Sequence, residues 1–351
     1  MKRDNLIETL RAVGKPTESW ESADGSRILA LPYGGRILGL FSPEDDENFF
    51  WTTDALKTVD SAKAFYEGDQ WHNSGGDRTW LGPEIDFFFP NFPKLDVYFQ
   101  QRSLDPGNFK VSKKDGSLTL SNRAKLTLSR TRQQIELEIT KSLSPALNPL
   151  RHEDQSEWAD VKFAGYTLTA TLQLEGKEMP PHVGMWHLTQ LPHRGEMLVP
   201  TLFRSEPKLY MGKIGPEDLI VEEHLVRYKM RAKGENKLGI RAEAITGRVG
   251  YIYSGNGETS LIIRNFFVDP SAEYVDVPWT ETSNFGYAFQ ACNIDNDLLH
   301  LGQFSEMEYH MPAIGAITGK KFSEDRSLLW AFRGPEPKIK SIARRLLSAE
   351  V

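Results

Sequence analysis

The sequence predicts an all-β protein, a large antiparallel sandwich with a short helix near each end. Three observations predict it. Short segments rich in β-branched and aromatic residues recur along most of the chain, bounded by clusters of Gly, Pro, Asn and Asp. No strand–helix–strand alternation interrupts them, which argues against a parallel α/β sheet. Clear helical periodicity is confined to the two ends.

Taken in order, Leu6, Leu10 and Val13 recur at helical spacing, and Gly14 then Pro16 supply stop signals, so residues 4–13 read as a short amphipathic helix. Strand patterns follow at 27–31 and 37–41. Residues 54–66 are weakly periodic and compatible with a helix. Further strand patterns lie at 125–128, 135–140, 166–174, 226–230, 250–253, 260–268 and 287–293. Asp115-Gly116 reads as a hairpin turn. The stretch 144–160, with Pro145 and Pro149, reads as a long surface connection rather than a domain boundary, so 1–351 is expected to form one domain. Ile339, Ile342, Ala343, Leu346 and Leu347 share one helical face of residues 337–347, expected to dock on a sheet edge and cover unpaired strand groups.

Composition narrows the function. Hydrophobic residues at 39% and charged residues at 26% suffice for a globular core. A net charge of -6 lacks the basic excess that phosphate neutralisation needs, so nucleic acid is not the expected partner. No apolar run is long enough to cross a bilayer, and no membrane partner is expected. Residues 1–8 lack the apolar core of a signal peptide, so a cytoplasmic location is expected; a chain trimmed of its leader, and so periplasmic or secreted, would read the same. The single cysteine, Cys292, allows no internal disulfide and no cysteine-rich zinc site.

Three stretches carry candidate chemistry. Residues 71–84 place Trp71, His72, Asp77, Arg78, Trp80 and Glu84 around Gly75-Gly76. Glycines at that density suit a loop passing close to another backbone or a ligand. Indoles combine apolar area with a donor, a pairing that suits a sugar face. The same residues also fit a buried turn with Arg78 as an internal tie. In the second stretch, residues 305–312, strand alternation puts Glu306, Glu308 and His310 on one face and Met307, Tyr309 and Met311 on the other. Two such carboxylates stand about 6.8 Å apart along a strand and raise each other's proton affinity. The third stretch, residues 186–193, offers His187 as a proton donor or acceptor near neutral pH, with Trp186 and Gln190 to orient a ligand. His182 and His187 are an odd number apart, no HxH or HExxH spacing occurs, and neither a phosphate-binding glycine loop nor a dinucleotide fingerprint is present. Neither a metal nor a cofactor is expected.

In this order the three stretches resemble the galactose mutarotase-like superfamily. The resemblance is nearest to bacterial families of unknown function that carry a Gly-Gly-[Asp/His]-Arg-x-Trp-x-x-Pro-Glu segment, here Gly75, Gly76, Asp77, Arg78, Trp80, Pro83 and Glu84. Residues 33–37 resemble the superfamily's opening strand pair, 186–200 its central histidine-bearing strand, and 306–312 its glutamate-bearing strand. The resemblance implies a β-supersandwich with a carbohydrate cleft on a concave sheet face. It also implies aldose 1-epimerase-like chemistry. Glu308 or Glu306 would take the anomeric proton, and His187 would protonate the ring oxygen. Arg78 and Gln190 would hold hydroxyls, and Trp80 or Trp186 would stack on the sugar. General acid–base groups suffice for that reaction. The pattern departs from the epimerases where Leu188-Thr189 follows His187 in place of an aromatic-Asn pair. A small carbohydrate is therefore the expected partner. Two further readings share the cleft: a non-catalytic carbohydrate-binding protein, and a glycoside hydrolase or lyase.

Overall fold

The computed structural model describes residues 1–114, 116–295 and 302–350, and it consists of two large sheets packed face to face. One sheet has nine strands in the spatial order β1 (Glu18–Glu21), β2 (Arg27–Leu31), β3 (Arg36–Phe41), β4 (Asp77–Gly82), β9 (Gly184–Pro192), β18 (Gln303–His310), β17 (Tyr287–Asp295), β14 (Gly234–Arg241) and β11 (Lys208–Met211). The other has ten, in the order β12 (Leu219–Val221), β13 (Leu225–Lys229), β10 (Glu196–Pro200), β15 (Arg248–Gly255), β16 (Glu258–Asn265), β19 (Phe322–Gly334), β8 (Lys162–Glu175), β7 (Gln134–Pro145), β6 (Ser117–Thr127) and β5 (Lys110–Lys114). All the pairings are antiparallel. The expected all-β sandwich is what forms.

Why these residues make these sheets is clearest in β6 and β7. Leu118, Leu120, Ala124 and Leu126 alternate with polar neighbours, as do Ile135, Leu137, Ile139 and Leu143, and the apolar set faces the space between the sheets. Fully burying each such side chain contributes roughly 1.5–3 kcal/mol. By contrast, β9 and β18 are buried at nearly every position, because both their faces are covered. That second cover encloses the cavity described below.

Helix α1 (Arg3–Ala12) lays Leu6 and Leu10 against Leu29, Leu31, Leu38 and Phe41 on the outer face of β2 and β3. The weakly periodic stretch resolves into a helical turn at Asp54–Lys57 and helix α2 (Val59–Glu67), which Thr58 caps by accepting from Ser61 N at 3.2 Å. A single turn, α3 (Glu84–Phe87), follows β4 directly. The C-terminal helix α4 (Glu336–Leu347) forms as expected but docks elsewhere. Ile339, Ile342, Ala343 and Leu347 pack on Ile252, Leu261, Ile263 and Phe332 of β15, β16 and β19. Those strands lie inside the ten-stranded sheet, so α4 covers an apolar outer face and not an edge. Strands β5 and β6 pair Lys114 with Ser117, as a tight hairpin requires; Asp115 of the expected turn lies outside the described residues. No helix among the described residues is long and apolar enough to cross a membrane.

Candidate functional site

Strand parity decides which side chains leave the core. In the nine-stranded sheet β4, β9 and β18 pair so that Trp80 faces Trp186, Arg78 faces Leu188 and Glu306 faces Gln190. Across β17, Cys292 is opposite both Glu306 and Lys237. All of these point away from the inter-sheet core, and all but Gln190 floor a cavity of about 510 Å³. Such a volume falls within the ~300–1,000 Å³ typical of small-molecule pockets. Phe89, Leu95, Tyr98, Phe99 and Trp279 arch over it from two long connections.

The loop entering β4 explains how Arg78 arrives there. Gly75 and Gly76 adopt φ of +100° and +78°, and a Cβ on either would sit 2.3 Å from the carbonyl oxygen of Trp51 or Ile37. Only glycine allows that approach, as the sequence suggested.

The floor is a network of buried charges. Arg78 Nη2 lies 2.9 Å from Glu306 Oε1, and its guanidinium sits 4.2 Å from the Trp80 ring centre. Lys237 Nζ lies 3.1 Å from Glu308 Oε2 and 3.4 Å from Glu84 Oε2. Glu308 Oε2 also accepts the Trp186 indole N–H at 2.9 Å, whereas its Oε1 is buried without a hydrogen-bond partner. Glu84 is saturated, accepting from Tyr98 OH at 2.6 Å and from Trp279 Nε1 at 2.8 Å as well.

Carboxylates outnumber cations here, and the balance sets protonation. Burial pushes the Glu308 carboxyl up to about 8; Lys237 opposes the shift, while Glu306 and Glu84 reinforce it. The Lys237 ammonium is held well above its ordinary range, because Glu308, Glu84 and Asp276 together overcome its burial. Asp276, which accepts from Gln290 Nε2 at 2.6 Å and Glu84 N at 2.7 Å, is raised by burial. The floor therefore offers one carboxyl that burial disposes to hold its proton, Glu308, beside one paired to arginine, Glu306.

Of the residues singled out in the sequence, Arg78, Trp80, Glu84, Trp186, Glu306 and Glu308 line this cavity. The others stand elsewhere. His187 is a correction: in β9 it alternates with Trp186 and Leu188 and so faces the inter-sheet core. There its Nδ1 meets Thr79 Oγ1 at 3.0 Å, its ring stacks on Tyr309 at 4.6 Å, and burial drives its pKa well below 6.5. Asp77 shares that core, accepting from Tyr166 OH at 2.7 Å and pairing with Arg264 and Lys141. His72 sits in an aromatic nest, its Nδ1 2.6 Å from Tyr33 OH and its ring beside Phe65 and Tyr66. Gln190 is on the correct face but fully buried beside Glu306, without reaching the cavity surface. His310 stacks on Trp186 at 5.6 Å behind the cavity wall and is neutral by burial. Among the described residues, no histidine lines the cavity. Nor do the two floor indoles offer an open face: Trp80 and Trp186 are 3% and 2% exposed, covered by Arg78, Phe88, Lys237 and His310.

Lys237, Cys292, Tyr98 and Trp279 were not legible as site residues. Nothing in a Gly-Glu-Asn-Lys-Leu strand distinguishes a buried lysine from a solvated one. Ligand atoms of Cys292, Glu306 and Glu308 lie within 4.8 Å of one another, a spacing that a metal ion could bridge. Arg78 and Lys237 already pair with the two carboxyl groups, and burial holds the Cys292 thiol in its protonated form.

Two sheets of this order, with a pocket on the outer face of the nine-stranded one, define a galactose mutarotase-like fold. A galactose mutarotase-like protein from Lactobacillus casei ATCC 334 superposes with a TM-score of 0.52 at 12% identity, covering 90% of this chain and 99% of that one. A galactose mutarotase related enzyme from Lactobacillus acidophilus gives a TM-score of 0.49 at 9% identity, covering 89% and 96%. No curated protein matches the sequence. The chain belongs to a family of unknown function, DUF6786, whose model matches residues 17–351.

Proposed function

We propose that the cavity binds a sugar and interconverts its anomers by acid–base catalysis, with Glu308 as acid and Glu306 as base. One observation carries this reading. Two carboxyl groups with oxygens within 4.8 Å of each other sit in unlike environments: burial raises the proton affinity of Glu308 despite Lys237 at 3.1 Å, and Glu306 is paired to Arg78 at 2.9 Å. A carboxyl that burial disposes to hold its proton, beside a second one paired to a guanidinium, suits opposite roles in one proton-transfer cycle.

In that cycle Glu306 accepts the proton of the anomeric hydroxyl as C1=O forms and the bond from C1 to the ring oxygen breaks. Glu308 delivers its proton to the departing ring oxygen. The open-chain aldehyde turns about the C1–C2 bond. On ring closure the hydroxyl formed from the ring oxygen attacks C1 and gives its proton back to Glu308, while the C1 oxygen takes one from Glu306, leaving both groups as they began. Arg78 holds the base, and Trp186 and Lys237 hold the acid through Oε2; Glu308 Oε1, buried at the cavity wall without a hydrogen-bond partner, is the oxygen that carries the proton. The acid role assigned to histidine by resemblance thus passes to a carboxyl.

Saturation-transfer NMR between α and β anomers, run across an aldose panel, tests the reading. Acceleration over buffer for at least one sugar, lost by ~10²–10⁴-fold in Glu308→Gln, is expected. Rates equal to buffer for every sugar would overturn it.

A further inference from the structure

We infer that the mouth of the cavity is a second subsite that takes an uncharged second sugar ring, so that the preferred ligand is a disaccharide or longer rather than a monosaccharide. This rests on the sugar reading of the floor and extends it outward.

Available apolar surface is distributed unevenly. The floor indoles are enclosed, whereas Leu95, Tyr98 and Phe99 line the same cavity while 37%, 39% and 45% exposed. Apolar side chains clustered at a cavity rim mark a ligand-contacting surface. Trp279 joins them, its ring 6.4 Å from that of Tyr98.

This rim is built and held. Tyr98 OH and Trp279 Nε1 donate to the two oxygens of Glu84, and Glu84 Oε2 pairs with Lys237, which pairs with Glu308. One chain of polar contacts therefore fixes the mouth aromatics relative to the acid on the floor. Tyr98 is also backed by Phe88, stacked at 5.3 Å, and Phe99 N donates to Phe88 O at 2.8 Å. A ligand whose reducing end meets Glu306 and Glu308 must continue past this platform to leave the cavity. Aromatic faces accept the apolar C–H side of a sugar ring, and a fixed platform spares the ordering cost of binding.

Charge selects against anionic rings. Both floor cations are engaged, Arg78 by Glu306 and Lys237 by Glu308 and Glu84, and Arg102 at the rim donates to Asp69 O at 3.4 Å. Leaving out Glu308, which burial disposes to hold its proton, Asp69, Glu84, Asp105, Glu235 and Glu306 line the cavity against those three cations and Arg36, which pairs with Asp105 at 3.3 Å. A phosphate or carboxylate on the second ring would meet net negative charge.

Calorimetry on the full chain tests the subsite, with glucose and galactose set against maltose, cellobiose and lactose, and octyl glucoside as the apolar control. The best disaccharide should bind about tenfold more tightly than either monosaccharide, the ratio that ~1.4 kcal/mol gives. In the exposed double variant Leu95→Ser/Phe99→Ser that gain should vanish while monosaccharide affinity stays unchanged. Disaccharides no tighter than monosaccharides, a gain that survives the double variant, or an equal gain from the octyl tail would each overturn the second-ring subsite while leaving the floor reading intact. Binding by no sugar at all would overturn both.

Discussion

Replacing Lys237 by methionine should expose how much of this molecule's stability hangs on one buried cation. Its Nζ lies 3.1 Å from Glu308 and 3.4 Å from Glu84. At an effective dielectric near 20, the Glu84 pair, and the Glu308 pair wherever that carboxyl is ionised, are each worth roughly 5 kcal/mol of Coulomb attraction. Desolvating the ammonium offsets much of that, so the net loss on removing one partner should be about 3–5 kcal/mol. The loss should depend on pH. Without Lys237 the Glu308 carboxyl, already raised to about 8, is raised further in the folded state, so the folded variant retains above pH 8 a proton that the wild type and the unfolded chain have released. Stability then falls as pH rises beyond that value, because the unfolded state binds fewer protons. Urea unfolding at pH 6 and pH 10 measures both effects. The deficit should be clearly larger at pH 10, where only the variant still holds the proton, and Glu308→Gln in the same chain should recover part of it. A deficit under ~1 kcal/mol, or one equal at both pH values, would refute the charge balance assigned to the floor.

Other substitutions separate the cavity from the core. Asp77→Asn, which weakens the inter-sheet pairing with Arg264 and Lys141, should cost about 3–5 kcal/mol by urea unfolding. His187→Gln should lower stability by ~1–3 kcal/mol yet leave the pH profile of anomer exchange in place, since His187 faces away from the cavity. Gly75→Ala must strain a φ of +100° and crowd the Trp51 carbonyl, so thermal unfolding should show a loss of at least ~1–3 kcal/mol.

Alternation made half of this site readable in the sequence. Glu306, Glu308 and His310 do share a face, and the spacing alone put them there. The same rule carried a warning at Trp186-His187 and at Asp77-Arg78, because adjacent residues in a strand cannot both face one pocket. Which member of each pair meets the ligand depends on where the second sheet packs, and that is a tertiary fact. The charged core makes this harder to see. Asp77, Lys141, His187 and Arg264 lie between the sheets, where polarity would ordinarily suggest an outer face. Helix α4 was legible from its period, but its docking place was not, since an apolar face fits a sheet's middle as well as its edge. Lys237 gave no signal at all: its burial follows from three carboxylates contributed by distant parts of the chain.

The most direct test of the central claim is the pH dependence of anomer exchange in the wild-type protein beside Glu308→Gln. With Glu308 acting as an acid held near 8 by burial, wild-type exchange should decline as pH rises through about 8, where the proton is lost. The variant should be slow throughout and lack that decline. A wild-type profile that is flat across pH 7–9, or a variant as fast as the wild type, would contradict the assignment of Glu308 as the proton donor.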